Sequence, residues 1–404
     1  MRVCLIATEL AGHSKSYGGF GMLTRDIAKG LVDRGLEVYV VVCRQPGQKP
    51  IVVDEGGFTV ISCPLPLYTG ITRVRRFKSI FELIDADIYH SEEPSVGTSL
   101  AIEAMPHRRH IITFQDPRTI EDRKIDWGIY SKKISKNDVI KFIISYYFSV
   151  KKYVKKADAL FCQAKYIIPK VMKIYNLHKT PGFLPNPVKI PTERIIKNSN
   201  PTVCFIGRWD IRKNPELFFE LAKRFPDVKF IAAGACRTDL KRDKMLREKH
   251  KNIPNLVMPG WVDNTEKSKI LEKSWIMINT SYRECLPVSY IEAVSYQCAI
   301  LSYENPDNFP DNFGYRAKKV DIEEYSKGLK FLLENNRWKN LGTRGYEYVK
   351  STFEYDKVID KHIKIYEEVM KLPRKQSIAR IIWNYLPESG VKNAIRNFYY
   401  AVRY

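Results

Sequence analysis

The sequence predicts an α/β protein made of two doubly wound parallel-sheet domains that face each other across a central cleft. Three observations predict it. Short apolar runs alternate with longer amphipathic ones, which is the pattern of βαβ units. The series starts twice, at Arg2 and again near Pro201. Between the two lies a stretch dense in Pro, Gly and Asn, from Pro181 to Pro187 and on through Lys197 to Pro201, which marks a linker. The length of 404 residues allows two to three domains and large cores without disulfides or metals.

Arg2–Ala7 and Glu37–Cys43 are short apolar runs and predict buried strands. Between them Met22, Leu23, Ile27, Leu31 and Val32 fall at helical spacing, and Gly35 supplies the stop. Further strands are expected at Phe58–Ser62, Asp87–His90, His110–Phe114 and Ala159–Cys162, with helices between them, including a long one around Asp138–Lys156. The second series predicts strands at Thr202–Ile206, Val228–Ala233, Asn255–Met258, Trp275–Asn279 and Ala299–Ser302. Its helices are expected at Pro215–Arg224, Thr265–Lys273 and Pro287–Tyr296, and three more run from Asp321 to about Leu372. The expected organisation is two α/β domains, 1–187 and 188–370, and a basic aromatic extension, 371–404.

Composition is ordinary for a globular chain except in charge: 67 Lys and Arg against 45 Asp and Glu give +22. The excess is local. Ile71–Ile80 carries +4, Asp122–Lys179 carries +10 and Lys371–Tyr404 carries +6, so the remainder is nearly neutral. Charge of this size speaks of partners, not of fold. No h-region follows Met1 and Arg2, and no uncharged apolar run reaches the roughly 20 residues of a spanning helix. The eight cysteines form no CxxC pair, which suits free thiols in a reducing, cytoplasmic compartment. No zinc spacing occurs among the seven histidines.

Three loops carry candidate chemistry. Gly18-Gly19 follows the first strand and opens the first helix, where backbone can approach a ligand and helix amides attract anions. Its spacing is not the GxGxxG dinucleotide pattern. Gly207-Arg208 ends a strand, and Lys213 follows in the loop before Pro215 starts a helix. An arginine fork and a lysine point charge at that position suit a diphosphate. Glu284-Cys285-Leu286-Pro287-Val288 precedes and opens another helix, on which Glu292 follows. The Val288 and Ser289 amides would point out of that helix start toward phosphate. One carboxylate can reach sugar hydroxyls and the other a ribose.

Gly207-Arg208-x4-Lys213, Glu284-x7-Glu292, Gly18-Gly19 and Asn186-Pro187-Val188 occur in the order seen in retaining glycosyltransferases of family 4, with the GT-B fold of two Rossmann-like domains. The resemblance covers about residues 1–370. It implies that Arg208 and Lys213 hold the diphosphate of a nucleotide-sugar and stabilise it as leaving group. It implies Glu284 on the donor sugar, Glu292 on the ribose, and Gly18, Gly19, Gly207, Leu286, Pro287 and Val288 around the donor. Asp87-Ile88-Tyr89-His90 is similar to the family's strand ending in His. His90, Gln115 and Asp116 are thus expected on the acceptor and sugar side. Gln115-Asp116 stands where members often have His-Asp, and Gln cannot titrate. Cys285-Leu286-Pro287 stands where they often have Gly-Phe-Gly.

The implied activity is metal-independent transfer of a hexose from a nucleotide-sugar donor to a glycan or lipid-linked acceptor, with no cofactor. Cations and helix ends would do the work of a metal. Asp85-Ala86-Asp87 is formally a DxD pattern, but it precedes a strand instead of following one. The alternatives are a nucleotide-sugar epimerase on the same scaffold, or a basic nucleic-acid-binding protein; no recognised nucleic-acid motif is present, so nucleic acid is not an expected partner. Many family members act at the cytoplasmic membrane face. Arg73, Arg75, Arg76 and Lys78 near Phe77 and Phe81, and Lys151 and Lys152 beside Tyr147 and Phe148, suit peripheral contact with anionic lipid, which attracts each cation by about 1 kcal/mol. The aromatic, basic tail adds to that expectation.

Overall fold

The structure is a computed structural model that describes residues 1–14, 19–44, 51–64, 71–119, 121–123, 150–237 and 239–373. Gly18, residues 138–149 of the expected long helix, the side chains of Arg73, Arg75 and Arg76, and nearly all of the basic extension lie outside that description.

Two parallel sheets form two Rossmann-like domains. In the first, strands β1 (Arg2–Ala7), β2 (Glu37–Arg44), β3 (Ile51–Asp54), β4 (Phe58–Pro64), β5 (Ile88–Ser91), β6 (Arg109–Phe114), β7 (Ala159–Cys162) and β8 (Gly182–Phe183) lie in the order β3-β4-β2-β1-β5-β6-β7-β8. The pairings are parallel except β3 with β4. Helices α1 (Gly19–Val32), α2 (Ile71–Ile84), α3 (Val96–Ala104), α4 (Lys151–Val154) and α5 (Ile168–Tyr175) cover this sheet. Its inner strands are apolar on both faces because helices cover both. β1 therefore reads as an unbroken run, with Val3 to Ala7 all buried.

The second sheet holds β9 (Thr202–Ile206), β10 (Lys229–Ala233), β11 (Leu256–Gly260), β12 (Ile276–Asn279), β13 (Ala299–Ser302) and β14 (Gly314–Arg316) in the order β11-β10-β9-β12-β13-β14. Its helices are α6 (Pro215–Arg224), α7 (Leu240–His250), α8 (Asn264–Lys273), α9 (Val288–Ser295), α10 (Phe309–Phe313), α11 (Ile322–Leu333) and α12 (Arg337–Thr352). The expected strands and helices of this half recur within one or two residues. Capping explains the sharp starts: Asp263 and Glu266 form a reciprocal capping box on α8, and Asp321 caps α11.

The chain then returns. Helix α13 (Tyr355–Lys371) buries Ile359, Ile365, Tyr366 and Val369 against Val3, Leu5, Leu23, Ile27 and Leu31 of the first domain. The outgoing linker and this return run side by side, since Val188 N–H donates to Phe353 C=O at 2.8 Å. One apolar cluster spans this hinge side, from Phe114 and Tyr175 through Val188 and Leu286 to Tyr290, Phe309 and Phe353.

The described parts of the basic segments pack on their own domain. Phe81 and Ile84 of α2 are buried under the first sheet, and Lys78 pairs with Glu103. On α4, Tyr153 and Val154 are buried, while Lys152 is exposed and lies over the Tyr153 ring at 5.1 Å. Among the described residues, no helix is long and apolar enough to cross a membrane.

Candidate active site

The chemistry-bearing loops converge because parallel strands deliver their following loops to one edge. β9 ends at Ile206, and the next loop holds Gly207, Arg208 and Lys213 before α6. Trp209 anchors it: its ring is fully buried, its amide donates to Ala235 C=O at 3.1 Å, and Arg247 lies 4.5 Å from the ring centroid. Thr280, just past β12, donates its hydroxyl to the Lys213 and Asn214 carbonyls at 2.9 and 2.7 Å. The β9 and β12 loops are thereby locked together.

Lys213 Nζ pairs with Glu284. The Glu284 carboxylate also accepts from Ser281 Oγ at 2.6 Å and Asn279 Nδ2 at 3.3 Å. Burial pushes this carboxyl up, but Lys213, the Ser281 hydroxyl and Arg212 outweigh it and hold it below its usual range. Arg208 is half exposed on the rim and folds back on Asp210 at 3.2 Å. Glu292 pairs with Lys267 at 2.6 Å.

The helix starts differ in a way that matters. Pro287 is the N-cap of α9, outside the helix, where the sequence expectation had put it in the first turn. A proline N-cap has no side-chain acceptor, so α9 begins without a side-chain cap and its first amides are open to an anion. At α1 the Gly21 amide is already taken by Glu9 at 3.0 Å. The two starts face one another: a Cβ on Gly19 would lie 3.9 Å from that of Val288. The helix start without a side-chain cap is therefore on the second domain.

Gln115 and Asp116 reach the same edge from β6, and Leu286 joins them. Gln115, Gln163 and Asn186 form a buried amide cluster, with Gln115 Nε2 donating to Asn186 Oδ1 at 3.1 Å and Gln163 Nε2 to the Leu286 carbonyl at 3.3 Å. Glu93 accepts from the Gln115 and Asp116 amides at 2.6 and 2.9 Å. Asp116 is bound by Arg118, Arg283 and Cys285.

His90 requires a correction. Its side chain is 0% exposed, with Nδ1 bonded to the Tyr366 hydroxyl and Nε2 to the Thr113 hydroxyl, both at 2.8 Å. The returning α13 covers it, so it does not meet an acceptor. Burial, with His362 nearby, pushes its pKa well down. His90, Glu92 and His362 have ligand atoms within 4.8 Å, the spacing of a cation site, yet both His90 nitrogens are already bonded. Asp85 and Asp87 of the DxD pattern pair with Arg108 at 2.7 and 3.3 Å. Cys162, Cys204, Cys236, Cys285 and Cys298 are free thiols.

Glu92 gives a pH prediction. Burial alone raises its pKa from 4.5 to about 8. The folded state then holds a proton that the unfolded state releases, so stability falls as pH rises from about 4.5 to about 8. His90, His362 and Tyr366 face it, and the first two are neutral in this window because burial lowers both. Each pH unit of the window is worth about 1.4 kcal/mol. Glu92→Gln should therefore gain on the order of 4 kcal/mol relative to wild type between pH 5 and pH 8. Thermal melts across that range check it; parallel curves would refute it.

One group escaped sequence reasoning. Arg212 lies in the same loop, its Nε is buried without a partner, and its charge acts on Glu284. The signal was its place beside Lys213, obscured by the basic character of the whole loop.

Residues 17–189 match the family described as Glycosyltransferase Family 4, and residues 189–348 match Glycosyl transferases group 1. The chain is 28% identical over 225 residues to a phosphatidylinositol N-acetylglucosaminyltransferase subunit of Arabidopsis thaliana, a match over 53% of this chain and 47% of that protein. The chain thus spans about half the length of that relative. The Homo sapiens protein of the same name is 22% identical over 397 residues, 92% of this chain and 78% of that one. Among solved structures, sucrose-phosphate synthase of Thermosynechococcus elongatus superposes with TM-score 0.70 at 14% identity, over 91% of this chain and 99% of that chain. Anabaena HepE in complex with UDP-glucose gives 0.65 at 11%, over 91% and 99%. These likenesses carry the fold.

Proposed function

The chain belongs to the family 4, group 1 glycosyltransferases, and from that premise we propose that it moves a hexose, with retention and without a metal, from a nucleotide-sugar to a glycan or lipid-linked acceptor. The observation that carries this reading is the Lys213–Glu284 pair beside the uncapped start of α9. A diphosphate seated on those amides meets Lys213 and the rim arginine Arg208. As the glycosidic bond breaks, negative charge grows on the leaving phosphate, and these fixed positive groups stabilise it more than the ground state. They supply the role a divalent cation fills in other transferases. Glu284, held ionised, accepts from donor-sugar hydroxyls, and Glu292 from the ribose. Retention follows from attack on the face the diphosphate leaves, where the phosphate oxygen takes the acceptor proton and no side-chain base is required.

The two relatives named for phosphatidylinositol N-acetylglucosaminyl transfer support an N-acetylhexosamine as one donor sugar to try and a polyol lipid headgroup as one acceptor. The basic segments favour work at an anionic cytoplasmic membrane face, with Lys152 exposed toward solvent.

A thermal-shift screen against UDP, GDP, ADP and their sugars tests the reading. A ligand at 100 times its dissociation constant should stabilise by about 2.7 kcal/mol. No shift with any nucleotide would overturn the proposal. Conversion of a donor to its epimer without acceptor would replace it with epimerase chemistry.

A further inference from the structure

Arg283 immediately precedes Glu284 yet serves the opposite domain. Its side chain is 5% exposed. Nη2 lies 2.5 Å from Asp116 Oδ1, Nη1 lies 3.3 Å from Asp116 Oδ2, and Nε lies 3.1 Å from Asp122 Oδ1. Asp116 and Asp122 belong to the first domain, on the segment that follows β6. Asp122 is held in turn by the Thr119 amide at 2.8 Å and Lys170 Nζ at 3.0 Å. Cys285, on the other side of Glu284, donates its thiol to Asp116 Oδ1 at 3.0 Å. The Glu284 carbonyl accepts from the Tyr166 hydroxyl at 3.3 Å, again from the first domain. The backbone around Glu284 is thus fixed by one domain, and its carboxylate by the other through Lys213, Ser281 and Asn279.

We infer that Arg283 and Asp116 form an interdomain latch that positions Glu284 for the donor, so that closing the cleft and setting the donor-sugar contact are one event. The inference rests on the donor reading of Glu284. It gives Asp116 a positioning role in place of a direct contact with acceptor. The physical ground is the fork. A bidentate guanidinium–carboxylate pair fixes direction as well as distance, and a buried arginine deprived of one partner keeps an uncompensated charge. When the domains part, Arg283 loses both carboxylates together and the Glu284 loop loses its outer restraint. Burial disfavours the charged arginine, but Asp116 outweighs it and holds the guanidinium charged.

Arg283→Gln, Asp116→Asn and the double variant test the latch. With the nucleotide-sugar that passes the screen above, each single change should lower kcat by about 10²-fold through misplacement of Glu284, while donor KM stays near the wild-type value. The double variant should be no worse than either single, because the residues act as a unit. Hydrogen exchange adds a readout that needs no donor. Amides of Gln115, Asp116, Arg118 and Thr119 and of 283–286 should lose protection together in either variant while β9 and β12 keep theirs. Unchanged kcat, multiplicative losses in the double, or loss of protection on one side only would each overturn the latch. Silence of every nucleotide would instead overturn the donor reading, with the exchange experiment still deciding the latch. Asp116→Asn keeps the side-chain shape and so serves where Arg283→Gln does not fold.

Discussion

Lys213→Ala is expected to lower turnover by about 10²–10³-fold, the usual effect of deleting one preorganised group aimed at developing charge. Lys213 acts twice. It is a cation of the loop proposed to meet the diphosphate, and it is the ion-pair partner of Glu284. Without it, Ser281 and Asn279 are the direct side-chain partners left to Glu284 among the described residues. Its carboxyl then rises toward the value burial favours, and part of the population meets the donor protonated. The variant should therefore lose kcat and also shift the acid limb of its pH–rate profile upward. Removing one member of a buried pair also costs about 3–5 kcal/mol of stability. Glu284→Gln separates the causes, since it keeps the shape and the hydrogen bonds but not the charge. Steady-state rates and melting curves of both variants decide the matter; wild-type turnover in a folded Lys213→Ala protein would refute the assignment.

Gly234→Ala should be among the most damaging small substitutions in the second domain. Gly234 has φ +147°, and an added Cβ would stand 1.8 Å from the Gly207 carbonyl oxygen and 3.0 Å from Trp209 Nε1. The first obstacle is backbone, so no rotamer change relieves it. That backbone is the start of the loop that carries Arg208 and Lys213, since Gly207 N–H donates to Ala233 C=O at 3.1 Å. We expect a loss of about 3 kcal/mol or more, a fall in Tm of roughly 6–12 °C, and lost nucleoside-diphosphate binding at temperatures where the protein is still folded. Gly207→Ala is the contrast. Its added Cβ meets only the Phe205 ring, at 3.7 Å, so stability should be nearly unchanged although Gly207 stands in the motif itself. Paired thermal melts and nucleotide titrations check both; equal melting points would refute the argument.

Most strands of both sheets were legible in the sequence because they are buried on two faces and read as apolar runs, but β8 and β14, two and three residues long, were not, and β8 falls within the stretch expected as linker. Nor was β3. It is a four-residue antiparallel edge with Val52 73% exposed, so it lacks the pattern of a covered strand. The loop after β9 and the segment around Glu284 were legible as candidates because each is a short run of residues, and the structure brings Lys213 and Glu284 together. The pairing of Asp116 was not legible, because its partners Arg283 and Cys285 lie more than 160 residues away. His90 misled for the opposite reason: a histidine at a strand end suggests a cleft, and only the return of α13 shows that the position is covered.

That return helix also sets an order of assembly. During synthesis the first sheet emerges complete by Phe183, yet the patch formed by Leu23, Ile27 and Leu31 waits for Ile359, Ile365 and Tyr366. Some 170 residues, including the entire second sheet, must leave the ribosome before that patch is covered. The nascent amino-terminal half is thus an unfinished body with an uncovered apolar face until the second half has been made. A fragment ending at the linker should be less soluble than the whole chain, and supplying α13 as a separate peptide should help it.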